Sequence, residues 1–295
     1  MVVDLTGFAS GFCDRLRQIT FCIAVATLRN DRLLSIRETP DPCCPFRFVD
    51  LCTVEGCEIR PWEPSAGPGE WQMDGGVFPG LPSVRRHKPP DVSLPDELFL
   101  QHWLESYQRL RPHPRLHTIL EHLSVGPDCL GLHLRFTDKV REEAEARTVI
   151  TPGQQQAVEA VAYRLLMDQR RRTGLRKVFL VADNAASKDA WARTLREAGC
   201  MVVMHAAAFD ASRLRQTSGD DFAVDLFALA RCRAIIGTTR SGVVRSATWM
   251  SGRRTCVFAA DHLVFGPLLL RRLSRSRLVR WPQRLARALT GCPDR

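Results

Sequence analysis

The sequence is poor in lysine and tyrosine, with four lysines and two tyrosines among its 295 residues. Arginine therefore supplies 38 of the 42 basic residues, and with 32 acidic residues the formal net charge is +10. The planar guanidinium group can form two parallel charge-assisted hydrogen bonds to phosphate. An arginine-rich surface favours anionic partners such as a nucleotide, a nucleic acid or an acidic membrane face, although a GC-rich genome would produce the same bias.

Several other features are absent. No apolar run approaches the roughly 18 residues of a membrane span, and the N-terminus carries Asp4 instead of the apolar stretch of a signal peptide. No pair among the 11 cysteines has the CxxC…CxxC or CxxC…HxxxH spacing of a zinc site. Five cysteines lie in apolar runs, as buried free thiols do: Cys22, Cys129, Cys200, Cys232 and Cys256. We therefore expect a reduced, cytoplasmic protein, soluble or peripheral to the inner membrane.

Hydrophobic periodicity predicts an α/β protein, with a β-loop-α-β opening in the N-terminal half and a mostly parallel, doubly wound sheet in the C-terminal half. Five apolar strand patterns there alternate with helical patterns: Cys129–Leu134, Val178–Ala182, Met201–Met204, Ala234–Gly237 and Thr255–Ala259. We predict an N-terminal α/β domain over 1–120, a C-terminal domain over 121–267 and a basic helical tail over 268–295. The tail either crosses back over the first domain or contacts an anionic membrane surface.

Polar residues follow the first of these strands, at the end where parallel α/β sheets bind ligands. His133 and Arg135 share one face of that strand, although both faces of a helix-covered parallel strand should be apolar. A buried imidazole and a buried guanidinium need polar partners. Either an anion-binding pocket or a structural salt bridge to a carboxylate would supply them.

Two other strand ends carry polar residues with more than one explanation. Asp183 and Asn184 follow the second strand, where helix capping accounts for both side chains. The fourth strand ends in Gly237-Thr-Thr-Arg-Ser-Gly242, directly before a helix, which suits a phosphate but also an ordinary Ser/Thr cap after a glycine turn. This loop lacks the GxxxxGK[ST] form of a P-loop.

Three segments resemble, in order, the motifs of the α-1,6-fucosyltransferases, the family of the core-fucosylating and nodulation-factor enzymes. The segment 131–140 (GLHLRFTDKV) is similar to the HxRRTDKV signature, and 178–184 (VFLVADN) is similar to the FLATDD strand end. The segment 225–245 resembles the third motif, with its T-x-S-S-x-V-x-R loop. Near the N-terminus, 11–16 (GFCDRL) resembles the GxGNRL helix start of the GT-B-like superfamily that includes the protein O-fucosyltransferases.

This resemblance implies a GT-B-like fold of two Rossmann-like domains, with the acceptor on the side of 1–120 and the nucleotide-sugar bound by 121–267. It also implies inverting, metal-independent transfer of fucose from GDP-fucose to a hydroxyl of an oligosaccharide or glycoconjugate, with no other cofactor. Arg135 would bind the β-phosphate and stabilise the leaving GDP, and Glu143 would be the general base. The other residues implied for the donor site are His133 and Asp225 at the guanine, Ser241 and the Gly242 amide at the diphosphate, and Asp138, Lys139, Asp183 and Thr239, with Lys139 supporting Glu143. The sequence has no DxD triplet, which agrees with arginine in place of a metal ion.

The sequence departs from the family pattern at three positions. Phe136 replaces the second arginine of the signature, Asn184 replaces an aspartate, and Arg240 replaces a serine. Arg240 could compensate for the missing arginine. Alternatively, the changes mark another nucleotide-sugar donor or a non-catalytic binding protein. Glu143 also has a plainer interpretation, because acidic neighbours on both sides are typical of a solvated helix start.

Two other function classes have weaker support. A dehydrogenase is suggested by the glycines of 7–11, but their spacing is GxxxG and not the GxGxxG of a dinucleotide-binding loop. Nucleic-acid binding rests on the net charge alone, because the sequence lacks interleaved aromatic and basic residues. We therefore expect a nucleotide-sugar donor and a glycan acceptor as partners, and no nucleic acid.

Overall fold

A computed structural model of the chain describes residues 1–6, 11–41, 44–64, 79–136, 151–210, 217–238, 241–252 and 256–260. The first half contains β1 (Val2–Asp4), α1 (Phe12–Leu28), β2 (Leu33–Arg37), α2 (Phe48–Leu51), β3 (Cys52–Val54), β4 (Glu58–Pro61), α3 (Leu81–His87), α4 (Asp96–Gln108), β5 (Leu110–Pro112) and α5 (His117–His122). The second half contains β6 (Cys129–Leu134), α6 (Pro152–Thr173), β7 (Lys177–Ala182), α7 (Ala185–Glu197), β8 (Met201–Val203), α8 (Gly219–Arg231), β9 (Ala234–Gly237), α9 (Gly242–Met250) and β10 (Cys256–Ala259).

The second half is built on a five-stranded sheet with strand order β10-β9-β6-β7-β8, in which every neighbouring pair is parallel. All five strands predicted from apolar runs are present, which confirms the α/β class and the parallel, doubly wound sheet. Strand β6 lies in the middle and is buried along its whole length. A strand covered by helices on both faces is expected to be apolar along its length, and β6 is so except at His133, which is why its sequence pattern was clear.

Alternate residues of β6 face two separate apolar cores. Leu130 and Leu132 pack with helices α6 and α7, whereas Cys129 belongs to the core that contains α8 and α9. The chain therefore changes faces of the sheet between β8 and α8. Strands β6 and β9 are neighbours whose following helices lie on opposite faces, so the gap between their carboxyl ends is the topological switch point where such sheets bind ligands.

The first half has a smaller parallel sheet of order β1-β2-β4 and an antiparallel pair formed by β3 and β5. Helix α1 packs against α4 and also against α9 of the second half. Buried residues of α1, α8 and α9 consequently belong to one apolar core. The predicted boundary near residue 120 stays a prediction, and the tail 268–295 lies outside the described residues.

The sequence shows no periodicity from Thr39 to Pro95, and the part of this region that the structure describes contains four short elements, α2, β3, β4 and α3. Elements of three to seven residues are too short to produce a recognisable repeat. The helix predicted over Asp96–Leu110 ends at Gln108, because Leu110 pairs with Val54 across the β3–β5 ladder. None of the helices in the described ranges is long and apolar enough to cross a bilayer.

Candidate functional site

His133 lies at the carboxyl end of β6 and faces the core that contains α8. Its side chain is buried, and Nδ1 has no hydrogen-bond partner among the residues that the structure describes. Burial and the nearby Arg135 charge lower the pKa of His133 to about 3. The imidazole is therefore neutral near pH 7, with one nitrogen that donates a hydrogen bond and one that accepts.

Asp225 on α8 lies at about the same position along the axis of β6 as His133. A Cβ added to Gly131 would lie 2.9 Å from Leu229 Cδ2, which fixes the packing of the helix on β6. Since α8 runs antiparallel to the strands it connects, Asp225, one turn before Leu229, lies toward the carboxyl end of β6, as does His133. Asp225 is buried, and its Oδ1 atom has no hydrogen-bond partner in the described part of the chain. Burial raises the pKa of Asp225 to about 7, against an opposing effect of Lys188.

The N-termini of two helices from different halves of the molecule meet beside these residues. A Cβ on Gly242, the first residue of α9, would lie 2.6 Å from the Cβ of Cys13 in the first turn of α1. Burial raises the pKa of Cys13 to about 12, and the charge of Arg135, which follows the carboxyl end of β6, acts in the opposite direction. Two helix N-termini and a guanidinium group form a positive environment suited to a diphosphate.

Ser241 is the N-cap of α9, as the simpler sequence interpretation of this loop proposed. Its Oγ accepts a hydrogen bond of 3.3 Å from the backbone N–H of Val243, and its own N–H donates to the Thr238 carbonyl. The Ser241 side chain is buried. Its hydroxyl proton is not used by this cap, so the same oxygen can donate a hydrogen bond to a phosphate.

The two polar residues after β7 have different roles. Asn184 is the N-cap of α7, and its Oδ1 accepts a hydrogen bond of 2.8 Å from the Ser187 N–H, as predicted. Asp183, also predicted as a cap, instead accepts a hydrogen bond of 2.9 Å at Oδ2 from the backbone N–H of Phe136. This bond ties the end of β6 to the end of β7, because Asp183 precedes the cap position and faces the neighbouring strand.

Phe136 points away from this site. It stands where the HxRRTDKV signature, which this segment resembles, has its second arginine. Phe136 is buried in the core on the α6 face of the sheet, together with Leu132 and Leu134. Side chains alternate along a strand, so His133 and Arg135 face one side and Phe136 continues the apolar side. The substitution therefore extends a core, and it adds no polar group to the junction.

Sequence reasoning missed a polar network that links α7 to α8 one turn before Asp225. Lys188 on α7 is buried, and its Nζ donates a hydrogen bond of 2.7 Å to the His205 carbonyl. The imidazole of His205 contacts Asp221 Oδ1 at 2.6 Å, and Asp221 is one turn before Asp225. The signal was present in the sequence: Lys188 shares the buried stripe of α7 with Ala192 and Leu195, where a lysine is out of place.

Several implied site residues cannot be placed. Asp138, Lys139, Glu143 and Thr239, and also Arg240, lie outside the described residues. The described residues contain no group of three or more His, Cys, Asp and Glu side chains arranged to bind a metal ion. Among the implied residues that the structure describes, His133 and Arg135 lie at the carboxyl end of β6, Ser241 and Gly242 follow the neighbouring strand β9, Asp225 lies on α8, and Asp183 follows β7.

Comparison with known proteins finds similarity in structure alone. No family profile matches the sequence, and a search of curated proteins finds no match. POFUT1 in complex with GDP-fucose matches with a TM-score of 0.51 and 13% identity, over 87% of this chain and 96% of that chain. NodZ α-1,6-fucosyltransferase soaked with GDP-fucose matches with a TM-score of 0.48 and 16% identity, over 84% and 91%. Fucosyltransferase NodZ from Bradyrhizobium matches with 0.47 and 16%, over 83% and 90%. The likeness to POFUT1 shows that the chain has a fucosyltransferase-like, GT-B-like fold, as predicted.

Proposed function

We propose that this protein is an inverting glycosyltransferase that transfers fucose from GDP-fucose to a hydroxyl group of an oligosaccharide or glycoconjugate, without a metal ion. The observation that carries the proposal is a pair of buried atoms, His133 Nδ1 and Asp225 Oδ1, at the switch point of the sheet, neither of which has a hydrogen-bond partner among the described residues. A buried polar atom without a partner costs about 1–3 kcal/mol. A ligand that bonds to both atoms would remove that cost.

The positive junction next to this pair supports a diphosphate ligand. The N-termini of α1 and α9 meet there, and the charge of Arg135 acts on both His133 and Cys13. A base bound between His133 and Asp225 would place its phosphates toward these groups. The fold of POFUT1, which was solved with GDP-fucose, supports this choice of donor.

The chemistry of sugar transfer assigns tasks to the residues of this site. An inverting transfer needs a base to accept the proton of the acceptor, a stabilised leaving diphosphate and exclusion of water. Arg135 is proposed to stabilise the leaving GDP, and Glu143 is proposed as the base. A charge-assisted hydrogen bond contributes about 1.5–3 kcal/mol. Two such bonds that strengthen in the transition state would account for roughly 10²–10⁴ in rate.

Donor binding is tested by calorimetric titration with GDP, UDP and NAD in the absence of metal ions. The expected result is binding of GDP in preference to UDP and NAD, and loss of GDP binding in Arg135→Ala. Arg193→Ala is the matched control, because Arg193 is exposed on α7. Equal binding of GDP by the wild type and Arg135→Ala would refute the assignment of Arg135, and tighter binding of UDP or NAD would refute the donor.

Transfer is tested separately by incubating the protein with GDP-fucose and measuring released fucose. We expect release by the wild type and none by Glu143→Gln, with Glu142→Gln as the control for a nearby carboxylate. Normal GDP binding without any release would favour the second candidate, a binding protein that retains the fold. The specific observation that favours this candidate is Phe136, which is packed in an apolar core where the family has an arginine.

A further inference from the structure

We propose that Lys188 is a positioning residue of the nucleobase subsite, where its ammonium group favours the carboxylate form of Asp225, which accepts two N–H groups of a guanine. This inference rests on the proposed function and extends it to the choice of base. It concerns a residue that neither the motifs nor the family resemblance identified. The two elements involved, α7 and α8, lie on opposite faces of the sheet and are linked through His205, whose carbonyl accepts a hydrogen bond from Lys188 and whose ring contacts Asp221, one turn before Asp225.

The position of Lys188 is unusual for a lysine. The side chain is only 4% exposed, on the same helix face as Ala192 and Leu195. Its Nζ donates to the His205 carbonyl and lies 5.6 Å from the centroid of the Phe209 ring. An ammonium group removed from water is costly unless opposite charge and hydrogen bonds compensate. The chain has a lysine at this position although 38 of its 42 basic residues are arginines.

The charges that face Asp225 come from each element packed around it. Lys188 approaches from α7 and favours the ionised carboxylate, and this is the largest effect opposing burial. Asp221, on α8 itself, disfavours the ionised form, but it is paired with His205 at 2.6 Å and hydrogen-bonded to the Ser218 hydroxyl. His133 from β6 is neutral. Lys188 is thus the cation whose removal would most favour protonated Asp225 among the described groups.

The charge state of Asp225 decides which base it can bind. A carboxylate accepts two hydrogen bonds side by side, which suits the N1–H and the 2-amino group of guanine. A protonated carboxyl group has one accepting oxygen and one donor, which no longer matches two donors on the ligand. Hydrogen bonds to an ionised acceptor are also about twice as strong as neutral ones. A cation beside Asp225 therefore favours guanine. Inosine diphosphate, whose base lacks the 2-amino group, shows how much the hydrogen bond from that group contributes.

The experiment compares GDP and inosine diphosphate binding by calorimetry from about pH 5.5 to about pH 8.5. The variants are Lys188→Met, which removes the charge and the hydrogen bond, and Lys188→Gln, which removes the charge but keeps a donor for the His205 carbonyl. Lys177→Met is the matched control. Like Lys188, Lys177 donates a hydrogen bond to a backbone carbonyl. It also bonds the Asp128 carboxylate, and it lies at the other end of β7, where the strand begins.

We expect both Lys188 variants to bind GDP on the order of tenfold more weakly near pH 7, with a smaller preference for GDP over inosine diphosphate. Both losses should recover as the pH rises and Asp225 ionises, and Lys177→Met should resemble the wild type. A loss that is equal at every pH, or an unchanged pH midpoint, would show that Lys188 supports only the local structure and would overturn the inference. Failure of the wild type to bind GDP would overturn the proposed function and this inference together.

Discussion

The end of β7 and the sheet-facing side of α8 each present an aspartate to the same edge of the sheet, but the two carboxylates differ in their partners. Asp183 is bonded by the backbone N–H of Phe136 and by the Asn184 side chain. Asp225 is more deeply buried, and its Oδ1 atom has no partner in the described part of the chain. A carboxylate bonded by its own chain stabilises the fold, whereas one that is buried with an unused acceptor gains most from a ligand.

The largest effect is expected when Asp225 is replaced. Asp225→Asn keeps the shape of the side chain but turns one acceptor into a donor, so GDP binding should weaken by roughly 10- to 100-fold, the equivalent of one charge-assisted hydrogen bond. Calorimetric titration near pH 8 measures this effect. Asp220→Asn is the control, because Asp220 pairs with Arg115 at the surface. An unchanged affinity would show that Asp225 is not part of the site.

The same variant should also change the pH dependence of stability. The folded-state pKa of Asp225 is about 7, above its usual value, so the folded state binds more protons than the unfolded state between about pH 4 and pH 7. Stability from this group is therefore lost as the pH rises through that range. Relative to the wild type, Asp225→Asn should gain about 1–3 kcal/mol of unfolding free energy from pH 4 to pH 7, measured by urea denaturation.

Replacing Asp183 should affect the fold more than the ligand. Asp183→Ala leaves the Phe136 N–H without its acceptor, so the free energy of unfolding should fall by about 1–3 kcal/mol. Asp189→Ala, at an exposed position of α7, serves as the control in urea denaturation. A stable Asp183→Ala protein with strongly reduced GDP affinity would remove the distinction between the two aspartates.

The smallest effect is expected for His133 under mild acid. Its folded-state pKa of about 3 is below the usual value, so the folded state binds fewer protons than the unfolded state from about pH 6.5 down to pH 3. Stability is therefore lost as the pH falls through this range, by about 1–2 kcal/mol at pH 5. His133→Gln should lack this loss, whereas His122→Gln, at an exposed position, should keep it. Equal losses of stability in the two variants would show that a group other than His133 takes up the proton.

The sequence predicted the second half in more detail than the first. The strands around His133 are long apolar runs, and Asn184 and Ser241 are cap residues at helix starts, so local patterns determine them. The partner of Asp183 and the network around Lys188 depend on which strands and helices become neighbours. No local pattern contains that information. The meeting of α1 with α9 was unpredictable for the same reason, because Cys13 and its neighbour Gly242 are 229 positions apart in the chain.

The close approach of Gly242 to Cys13 has a consequence for sequence variation. Because an added methyl group at 242 would lie 2.6 Å from the Cys13 Cβ, the two positions share one fixed volume. In a library randomised at both positions and selected for folding, residues larger than glycine at 242 should survive only where position 13 has also become glycine. The two halves of the molecule would then evolve as a matched pair at this one junction, while their surfaces diverge independently.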